Sequence, residues 1–365
     1  MKQFYTLFLL FITAFTFSQE AYYSNGVNNV DFNLTGIDLK NALEIKISNN
    51  TTALPYSSSS FDTWDALKLT DVNPANSSQV LLIYGWENGT DGSVTNDRER
   101  GINMTGGNVG DWNREHVFPK SLATPSLTTG SPGPGTDIHN LRPADVQWNG
   151  TRGSLKFADG TGNSGPISGN WYPGDEWKGD VARMVMYMYL RYDGNGSSVA
   201  ETQCFPNVVG VGNAVGNDAN MIDLFLQWNV DDPISDVERQ RNAVSETWQG
   251  NRNPFVDNPA LATVIWGGPV AEDTWGNLLS TNQNATITYS MYPNPVKNNF
   301  VYFSSTTQDL DVIIYNVLGK QVLVENITPN KDFINVSNLN KGIYLVYLVK
   351  INSSQGVLTK KLIVQ

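Results

Sequence analysis

Cys204 is the only cysteine in this chain of 365 residues, and this limits the ways in which the fold can be stabilised. A single thiol excludes an intramolecular disulfide framework, and it excludes a zinc or iron–sulfur site built from several cysteines. Stability must therefore come from buried side chains. The hydrophobic content of 40% and the aromatic content of 11% are sufficient for globular domains. At this length, two or three domains are expected rather than one core.

The N-terminal residues 1–18 have the layout of a secretory signal peptide. Lys2 provides a positive start, an apolar run extends from Phe4 to Phe15, and small residues precede an expected cleavage before Gln19. The alternative is a membrane anchor, but the run is shorter than the roughly 20 apolar residues that a spanning helix needs. The apolar stretch 184–190 is shorter still and is predicted to be a buried helix segment. We therefore expect an exported protein without a stable membrane span.

The remainder of the chain divides into two regions of different composition. Residues 19–268 are rich in Trp, Gly, Asn and Asp, and their mixture of helical segments, loops and strands predicts an α+β domain. Helices are predicted there at 36–47, 179–192 and 235–248. Residues 269–290 are interpreted as a linker. Residues 291–365 consist of short β-branched or aromatic runs separated by turns, which predicts a small all-β, immunoglobulin-like sandwich.

The formal net charge of −11 argues against a protein that binds nucleic acid through a broad basic face. The charge is unevenly distributed, however. Residues 98–191 contain 10 basic and 9 acidic side chains, whereas the rest of residues 19–290 contains 6 basic and 22 acidic ones. Both histidines of the chain, His116 and His139, lie in the near-neutral segment. We therefore expect the chemistry of the protein in this segment.

Two stretches of this segment hold the side chains that phosphodiester hydrolysis needs, WNREHVFPKS at 112–121 and TDIHNLRPADVQWNGTRG at 136–153. A neutral histidine can take a proton from water near pH 7. A hard divalent cation prefers oxygen ligands such as the Glu115 carboxylate and an asparagine carbonyl. Arginines can bind a phosphate through two hydrogen bonds and stabilise the charge of the transition state.

The order of the predicted elements indicates how these groups can meet. Neighbouring side chains of a strand point to opposite faces, so Glu115 and His116 diverge unless the strand ends or bulges there. A second strand is predicted at 138–141, and Pro143 is typical of the start of a following helix. A strand, a loop, a strand and a helix would then bring Asn149 back to Glu115 and His116.

These stretches resemble the signature of the endonuclease I family, secreted bacterial nucleases with a ββα-metal active site. Further similar segments lie at 22–43, 179–192, 227–242 and 249–267, so the resemblance covers most of residues 20–268. It implies a magnesium-dependent endonuclease with little base specificity, which cuts DNA and often RNA and leaves 5′-phosphates. Some members of the family carry several disulfides, so this chain resembles the cysteine-poor branch.

The resemblance also assigns roles to particular residues. It implies that His116 is the general base and that Glu115 and Asn149 hold Mg²⁺, with Ca²⁺ or Mn²⁺ as alternatives. Arg142 and Arg152 lie within the motif, and they are the candidates for contacting the scissile phosphate. Arg114 lies close by as a third possibility, and the choice among the three arginines stays open at this point.

Three further residues are weaker candidates for the site. Arg114 is close to the motif in sequence. His139 and Asn140 belong to it, but a buried histidine bonded to the backbone, or an asparagine that holds a turn, would give the same pattern. We therefore include all three in the candidate site and leave the structural alternative open.

Segments MYPNPVKNNF, LGKQV and NKGIYLVYLV of residues 291–349 resemble the C-terminal type A sorting domain of type IX secretion cargo. This implies that the type IX secretion machinery reads the domain, and that the protein is secreted or held at the cell surface. The alternative is a carbohydrate-binding or fibronectin-like module, which a row of exposed aromatic side chains on one sheet face would favour. The tyrosines and phenylalanines here alternate as core positions should, so we expect them to face the core.

Together these features predict a secreted, metal-dependent, non-specific endonuclease that acts as a monomer on DNA, with RNA as a further candidate substrate. The competing hypothesis is a surface adhesin or glycan-binding protein without catalysis. It is motivated by the aromatic and Asn/Gly content together with the secretion signals.

Overall fold

The computed structural model describes residues 21–88, 91–194, 202–276, 278–279, 291–303, 310–328, 330–350 and 356–365. These residues belong to two compact units, which divide between Gln283 and Asn284 in the sequence. The predicted signal peptide lies outside the described residues, as do residues 281–290 of the predicted linker. Within the described ranges, no helix is both long and apolar enough to cross a membrane.

The first unit combines short antiparallel sheets with helices, which agrees with the predicted α+β class. Its described helices are α1 (Gly36–Ser48), α2 (Thr63–Thr70), α3 (Val146–Arg152), α4 (Lys178–Arg191), α5 (Pro206–Val209), α6 (Asp223–Asp231), α7 (Asp236–Gln249), α8 (Pro254–Asp257) and α9 (Ala260–Trp266). Its described strands are β1 (Val72–Asn73), β2 (Asn76–Leu81), β3 (Glu99–Gly101), β4 (Trp112–His116), β5 (Leu141–Asp145), β6 (Gly165–Ile167), β7 (Asn170–Tyr172), β8 (Ala214–Val215) and β9 (Asp218–Ile222). They pair as β1–β2–β3, β4–β5, β6–β7 and β8–β9.

Strands β4 and β5 form a hairpin that continues into helix α3. His116 is the last residue of β4 and pairs with Leu141. Asp145 ends β5 and caps α3, because its Oδ1 accepts hydrogen bonds from the backbone of Gln147 at 2.9 Å and of Trp148 at 2.8 Å. The predicted order of strand, loop, strand and helix is therefore present.

The second strand and the helix begin later than predicted. Residues Ile138–Asn140 form a 3₁₀ turn, and β5 extends from Leu141 to Asp145. Pro143 therefore lies inside the strand and not at the start of a helix. Its carbonyl oxygen still accepts a hydrogen bond from the backbone N–H of Ile83 at 2.9 Å, so proline costs the strand only the N–H that it lacks.

Helix α4 forms the centre of the first unit. Its residues from Gly179 to Arg191 are all buried, and it packs against α1 and α6. A helix that is apolar on most of its faces is stable in a folded protein when other elements surround it. The apolar stretch 184–190 is therefore an internal helix segment, as predicted.

The first unit continues past residue 268, where the sequence placed the end of the domain. Ala271 and Leu278 are buried, and Leu278 packs with the main core of the unit. The Asp273 carboxylate accepts backbone hydrogen bonds from Leu278 at 2.7 Å and from Leu279 at 3.0 Å. The described residues between 269 and 279 therefore fold with the first unit.

A group of buried ion pairs lies next to β5. Arg142 lies 2.7 Å from Asp71 and 2.7 Å from Asp180, and Asp71 also pairs with Arg241. Arg142, Asp180 and Arg241 line a cavity of about 20 Å³, which has room for a single water molecule. The arrangement balances buried positive and negative charge inside the unit.

These ion pairs correct the prediction that Arg142 contacts the scissile phosphate. The Arg142 side chain has no exposed surface, and two buried carboxylates balance its charge. A substrate phosphate cannot reach a guanidinium in this position without unpacking the unit. Arg142 is therefore an internal counter-ion of Asp71 and Asp180.

The second unit is all-β, as predicted. Its described strands are β10 (Met291–Tyr292), β11 (Phe300–Phe303), β12 (Leu310–Asn316), β13 (Gln321–Ile327), β14 (Phe333–Asn335), β15 (Gly342–Lys350) and β16 (Gly356–Val364). They form two antiparallel sheets, in the orders β10–β11–β14 and β13–β12–β15–β16. Its core includes Val301, Phe303, Val312, Ile314 and Leu348. This is consistent with the small sandwich that the sequence predicts.

Some aromatic side chains of the three-stranded sheet face solvent. In β11, Val301 and Phe303 are buried, while Phe300 and Tyr302 are exposed on the opposite face. Tyr292 lies beside Tyr302, with ring centroids 5.9 Å apart, and half of its surface is exposed. The expectation that the tyrosines and phenylalanines of this domain face the core is therefore wrong for Tyr292, Phe300 and Tyr302.

Replacing Arg142 tests its structural role. Arg142→Met should destabilise the first unit by about 3–5 kcal/mol, because it leaves Asp71 and Asp180 undercompensated in a buried site. Urea unfolding followed by tryptophan fluorescence measures the change. All 10 tryptophans of the chain lie between Trp64 and Trp275, so the signal reports the first unit.

The matched control is Arg239→Met. The Arg239 side chain is 41% exposed and lies 3.8 Å from Asp236. Because solvent screens such a pair, the urea midpoint of this variant should stay close to that of the wild type. Equal midpoints for Arg142→Met and Arg239→Met would contradict the structural role of Arg142.

Candidate active site

Strand β4 presents different side chains on its two faces. Successive residues of a strand point to opposite sides, so Asn113 and Glu115 share one face while Arg114 and His116 share the other. The strand ends at His116, which is one of the two arrangements that the sequence allowed for adjacent ligand and base residues. Glu115 and His116 therefore have different neighbours.

Helix α3 lies against the Glu115 face. The Asn149 amide nitrogen Nδ2 donates a hydrogen bond to Asn113 Oδ1 at 2.7 Å, and Arg152 Nη1 lies 3.3 Å from Glu115 Oε1. Asn149 and Arg152 are three residues apart, so they are neighbours on one face of the helix. The structure thereby brings Glu115 and Asn149 to the same side of the hairpin.

Glu115 is a buried carboxylate, with 3% of its surface exposed. Burial raises its pKa, while the Arg152 guanidinium and a hydrogen bond from the Tyr84 hydroxyl at 3.0 Å act in the opposite direction. Tyr84 has a left-handed backbone conformation, with φ 74°, which is unusual for a residue with a Cβ. Sequence analysis missed Tyr84, because its contact joins residues 31 positions apart and belongs to no motif.

A backbone carbonyl and an aromatic ring hold His116. Its Nε2 lies 2.8 Å from the carbonyl oxygen of Gly135, which can only accept, so Nε2 carries the proton and Nδ1 keeps a lone pair. The Tyr56 ring stacks on the imidazole, with centroids 5.8 Å apart and 27° between the planes. Burial lowers the pKa of His116 to about 4, so the imidazole is neutral near pH 7. A general base needs this protonation state.

The Gly135 carbonyl belongs to a loop rich in glycine and proline that ends in the 3₁₀ turn Pro134–Thr136. A Cβ at Gly135 would lie 2.1 Å from the Thr128 carbonyl oxygen, so only glycine fits. The composition of the loop identifies it as a loop. It does not indicate that one of its carbonyls meets His116, so sequence analysis missed this contact.

Arg114 holds the segment that covers His116. Its guanidinium lies between the rings of Tyr56 and Trp64, 3.4 Å and 4.0 Å from the two centroids. It also donates a hydrogen bond to Ser57 Oγ at 3.2 Å. Arg114 therefore positions the Tyr56 ring, which in turn covers the imidazole.

Arg152 lies beside the candidate ligands but is buried. Its Nη2 donates a hydrogen bond to the carbonyl oxygen of Val117 at 2.8 Å, and Nη1 lies 3.3 Å from Glu115 Oε1. The side chain has no exposed surface. The structure therefore gives Arg152 a contact with Glu115 and with the chain after His116. It does not place Arg152 where the sequence analysis expected it, in contact with the scissile phosphate.

His139 and Asn140 have the structural roles that the sequence left open as alternatives to a role in the site. His139 Nε2 lies 3.2 Å from the carbonyl oxygen of Asn251, and its ring lies against Tyr187, with centroids 4.4 Å apart. The Asn140 side chain accepts a hydrogen bond from the Phe118 N–H at 2.7 Å and donates one to the Phe118 carbonyl at 3.1 Å. Both residues are buried and fix the segments around β4 and β5.

The oxygen ligands on the Glu115 face suit a sparsely ligated cation. Among the described residues, no group of three or more His, Cys, Asp and Glu side chains is placed to hold a metal. Mg²⁺ does not need such a group, because it keeps several waters and binds through one or two carboxylates together with substrate phosphates. The Glu115 carboxylate fits this role, as does the carbonyl oxygen of Asn149, whose amide nitrogen already bonds to Asn113.

His139 should make the stability of the first unit depend on pH. Burial lowers its pKa to about 4, whereas the neighbouring Asp137 raises it. The unfolded chain binds a proton at this histidine near pH 6.5, whereas the folded protein binds it only near pH 4. The contribution of His139 to the free energy of unfolding is therefore fully present above pH 6.5 and is lost as the pH falls towards 4. The wild type should lose about 2–3 kcal/mol more than His139→Gln between pH 6.5 and 4.5, measured by urea unfolding. Parallel losses in the two proteins would contradict the assignment.

Comparisons with known proteins identify the families to which the two regions of the chain are similar. The family described as Endonuclease I matches residues 35–260. The family described as Secretion system C-terminal sorting domain matches residues 290–365. The two matches correspond to the two units of the fold.

Two curated relatives are similar to the first unit. One is named extracellular ribonuclease, from Bacillus subtilis (strain 168), and is 43% identical over 244 residues, which cover 64% of this chain and 75% of the relative. The other, from Bacillus amyloliquefaciens, carries the same name and is 41% identical over 239 residues, with 64% and 75% covered. The chain belongs to the endonuclease I family and carries a C-terminal domain of the secretion sorting family.

Proposed function

We propose that this protein is an exported nuclease that hydrolyses phosphodiester bonds of RNA and DNA with the help of Mg²⁺. One observation carries the proposal. In one hairpin, the Glu115 carboxylate and the Asn149 amide lie on one face, and the same strand ends at His116, a neutral histidine whose Nδ1 keeps a lone pair that can accept a proton. These are the groups that metal-assisted hydrolysis of a phosphodiester requires.

In the proposed reaction, His116 accepts a proton from the attacking water at Nδ1. Its Nε2–H stays bonded to the Gly135 carbonyl, which stabilises the imidazolium that forms. The Tyr56 ring keeps the imidazole in one orientation. The ring is therefore ready for the proton without rearrangement.

Glu115 and Asn149 would hold the cation in this proposal. When bound, a divalent cation neutralises charge on the phosphate and on the leaving 3′-oxygen. Arg152 and the Tyr84 hydroxyl orient the Glu115 carboxylate. Mg²⁺ is the first choice, since the site offers hard oxygen ligands and few of them, and Ca²⁺ or Mn²⁺ are the alternatives.

The choice of substrate rests on two arguments. The names of both relatives, extracellular ribonuclease, support RNA as a substrate of this chain. The resemblance of the motif at 112–153 to endonucleases that cut DNA supports DNA. We therefore propose that the site accepts both. The monomeric state expected from the sequence stays a prediction.

The C-terminal domain supports export. Because residues 290–365 match a secretion sorting family, we propose the type IX secretion machinery as the partner of this domain. The nuclease would then act outside the cell or at its surface. The competing adhesin hypothesis draws on the exposed rings of Tyr292, Phe300 and Tyr302. The adhesin hypothesis does not explain the arrangement of Glu115, His116 and Asn149.

Removing the proposed base should remove most of the activity. His116→Ala should lower the rate of RNA and plasmid cleavage in Mg²⁺ by about 10²- to 10⁴-fold, because the substitution removes the group that takes the proton in the proposed reaction. Gln147→Ala is the control, since Gln147 is exposed on α3 and only its backbone N–H takes part in the helix cap. Cleavage by His116→Ala at the wild-type rate, with its unfolding midpoint unchanged, would contradict the proposal.

Removing the proposed metal ligand should weaken cation binding. EDTA should abolish cleavage and added Mg²⁺ should restore it. Glu115→Gln should weaken Mg²⁺ binding, measured by titration calorimetry, by at least about tenfold, because the neutral amide attracts the cation less strongly. The Gln147→Ala control should bind Mg²⁺ like the wild type. Cleavage that persists in EDTA, or equal Mg²⁺ affinity in wild type and Glu115→Gln, would exclude this metal site.

A further inference from the structure

A second feature of the first unit is a cavity of about 220 Å³ beside Tyr84. Three backbone segments bound it, 84–86, 162–164 and 174–177. A water molecule takes about 30 Å³ of liquid, so the cavity has room for roughly seven waters. This is space for one planar heterocycle.

Aromatic side chains form part of the cavity wall. Trp86 is half-buried, and its ring packs edge-on against Trp148, with centroids 5.9 Å apart. Trp177 is buried and donates a hydrogen bond from Nε1 to the carbonyl oxygen of Gly85 at 2.8 Å, which fixes the wall. An indole that keeps exposed surface beside a cavity is a stacking partner for a flat ring.

The polar groups of the wall indicate the chemistry of the ligand. Among the described residues, no Lys, Arg or His is part of the cavity wall itself. The Asp175 carboxylate accepts hydrogen bonds from Tyr172 and Gly162, and Glu176 pairs with Arg98 at 2.5 Å. Carboxylate oxygens of this kind accept hydrogen bonds from N–H groups. The exposed amide of Asn163 adds a donor and an acceptor. The wall therefore suits a neutral ring with N–H groups on its edge.

Three hydrogen bonds connect this wall to the candidate active site. Ser164 Oγ donates to the Tyr84 carbonyl oxygen at 2.6 Å, and the Tyr84 hydroxyl donates to Glu115. Trp148 Nε1 donates to Ser164 Oγ at 2.9 Å, and Trp148 directly precedes Asn149. The cavity wall therefore touches the residues that hold both proposed metal ligands.

The backbone at Tyr84 supports a functional role for this connection. Its φ of 74° places a residue with a Cβ in the left-handed region, which costs free energy unless its surroundings enforce it. This conformation lets one residue contribute its hydroxyl to Glu115 and its carbonyl to Ser164. Strained residues of this kind concentrate at ligand sites.

We propose that this cavity is a subsite for one unpaired nucleobase of the substrate, next to the scissile phosphate. The proposal rests on the proposed nuclease function and names a selectivity for it. A base in a duplex is stacked and paired, whereas a base in a single strand is free to enter a pocket and stack on an aromatic ring. The subsite therefore favours single strands over duplexes of the same sequence.

A thermodynamic cycle between Trp86 and the base tests the proposal. Short single-stranded oligonucleotides are compared with matched ones that lack a single base, each position in turn. In the wild type, loss of the base that occupies the subsite should raise KM roughly five- to hundredfold. Trp86→Ala should raise KM for the intact strand by a similar factor and should no longer distinguish the two strands, because the same contact is lost in both ways.

Two further variants complete the design. Trp86→Phe keeps a ring in place and should retain most of the discrimination, which separates lost stacking from misfolding. Trp248→Ala is the control, since Trp248 is an exposed indole that stacks on Phe61 outside the cavity. It should discriminate like the wild type. Circular dichroism verifies that each variant is folded.

The outcomes separate this inference from the proposed function. If Trp86→Ala and base removal raise KM by independent factors that multiply, the subsite proposal is overturned. It is also overturned if removal of a base leaves the KM of the wild type unchanged at every position. The same comparison of the wild type and Trp86→Ala, with intact strands and strands that lack a base, can be made from dissociation constants measured in EDTA, where no catalysis is expected. A protein that shows the coupling in binding but cleaves neither RNA nor DNA would overturn the nuclease proposal alone.

Discussion

The candidate site depends on one carboxylate, that of Asp145. It ends β5, caps α3 and forms a buried ion pair with Arg100 at 2.6 Å. A carboxylate at a helix N-terminus satisfies free backbone N–H groups and is attracted by the helix dipole. Because the cap sets the direction in which α3 leaves the hairpin, it also determines where the side chains four and seven residues later lie. These are Asn149 and Arg152, and they lie against the Glu115 face of β4. The cap therefore contributes, with the contacts of Asn149 to Asn113 and of Arg152 to Glu115, to bringing the proposed ligands Glu115 and Asn149 to one side of the hairpin.

Buried charged groups connect distant segments of this chain, a role that disulfides have in many exported proteins. The single cysteine, Cys204, is free and buried, so no covalent link holds the long loops. Polar contacts between distant segments take that place. The Asp137 carboxylate, for example, accepts hydrogen bonds from Tyr187, Tyr192 and Arg191 of the central helix region and from Gln249 at the end of α7. Buried ion pairs add little net stability, because desolvation offsets the attraction. They penalise any arrangement in which one partner is unpaired, so they select this packing over alternatives.

The sequence predicts the elements better than it predicts their contacts. The order of strand, loop, strand and helix follows from local patterns, and the end of β4 at His116 follows from the need to place adjacent residues at one site. Arg142 shows the limit. Its position within the motif suggested substrate contact, yet a motif does not distinguish an arginine that meets solvent from one that faces Asp71 and Asp180. Tyr84 and Gly135 were missed for a related reason, since long-range contacts leave no periodicity. In the second unit, side chains alternate along a strand in the same way whichever face of the sheet is buried. The sequence pattern therefore could not show that Phe300 and Tyr302 face solvent.

The charge distribution acquires a different meaning once burial is known. Residues 98–191 are nearly neutral in sequence, which by itself suggests less repulsion of a nucleic acid than elsewhere in the unit. Five of their 10 basic residues, however, are buried arginines: Arg100, Arg142, Arg152, Arg183 and Arg191. Internal carboxylates balance the charges of these arginines, which therefore cannot attract phosphates from solution. Four of the nine acidic residues of the segment, Glu115, Asp137, Asp145 and Asp180, are buried as well, so the basic and acidic residues that are not buried balance at five each. In the proposed mechanism, the surface therefore offers a substrate phosphate few basic contacts besides the cation. Binding of this kind releases few counterions, so its affinity falls only slowly as salt increases.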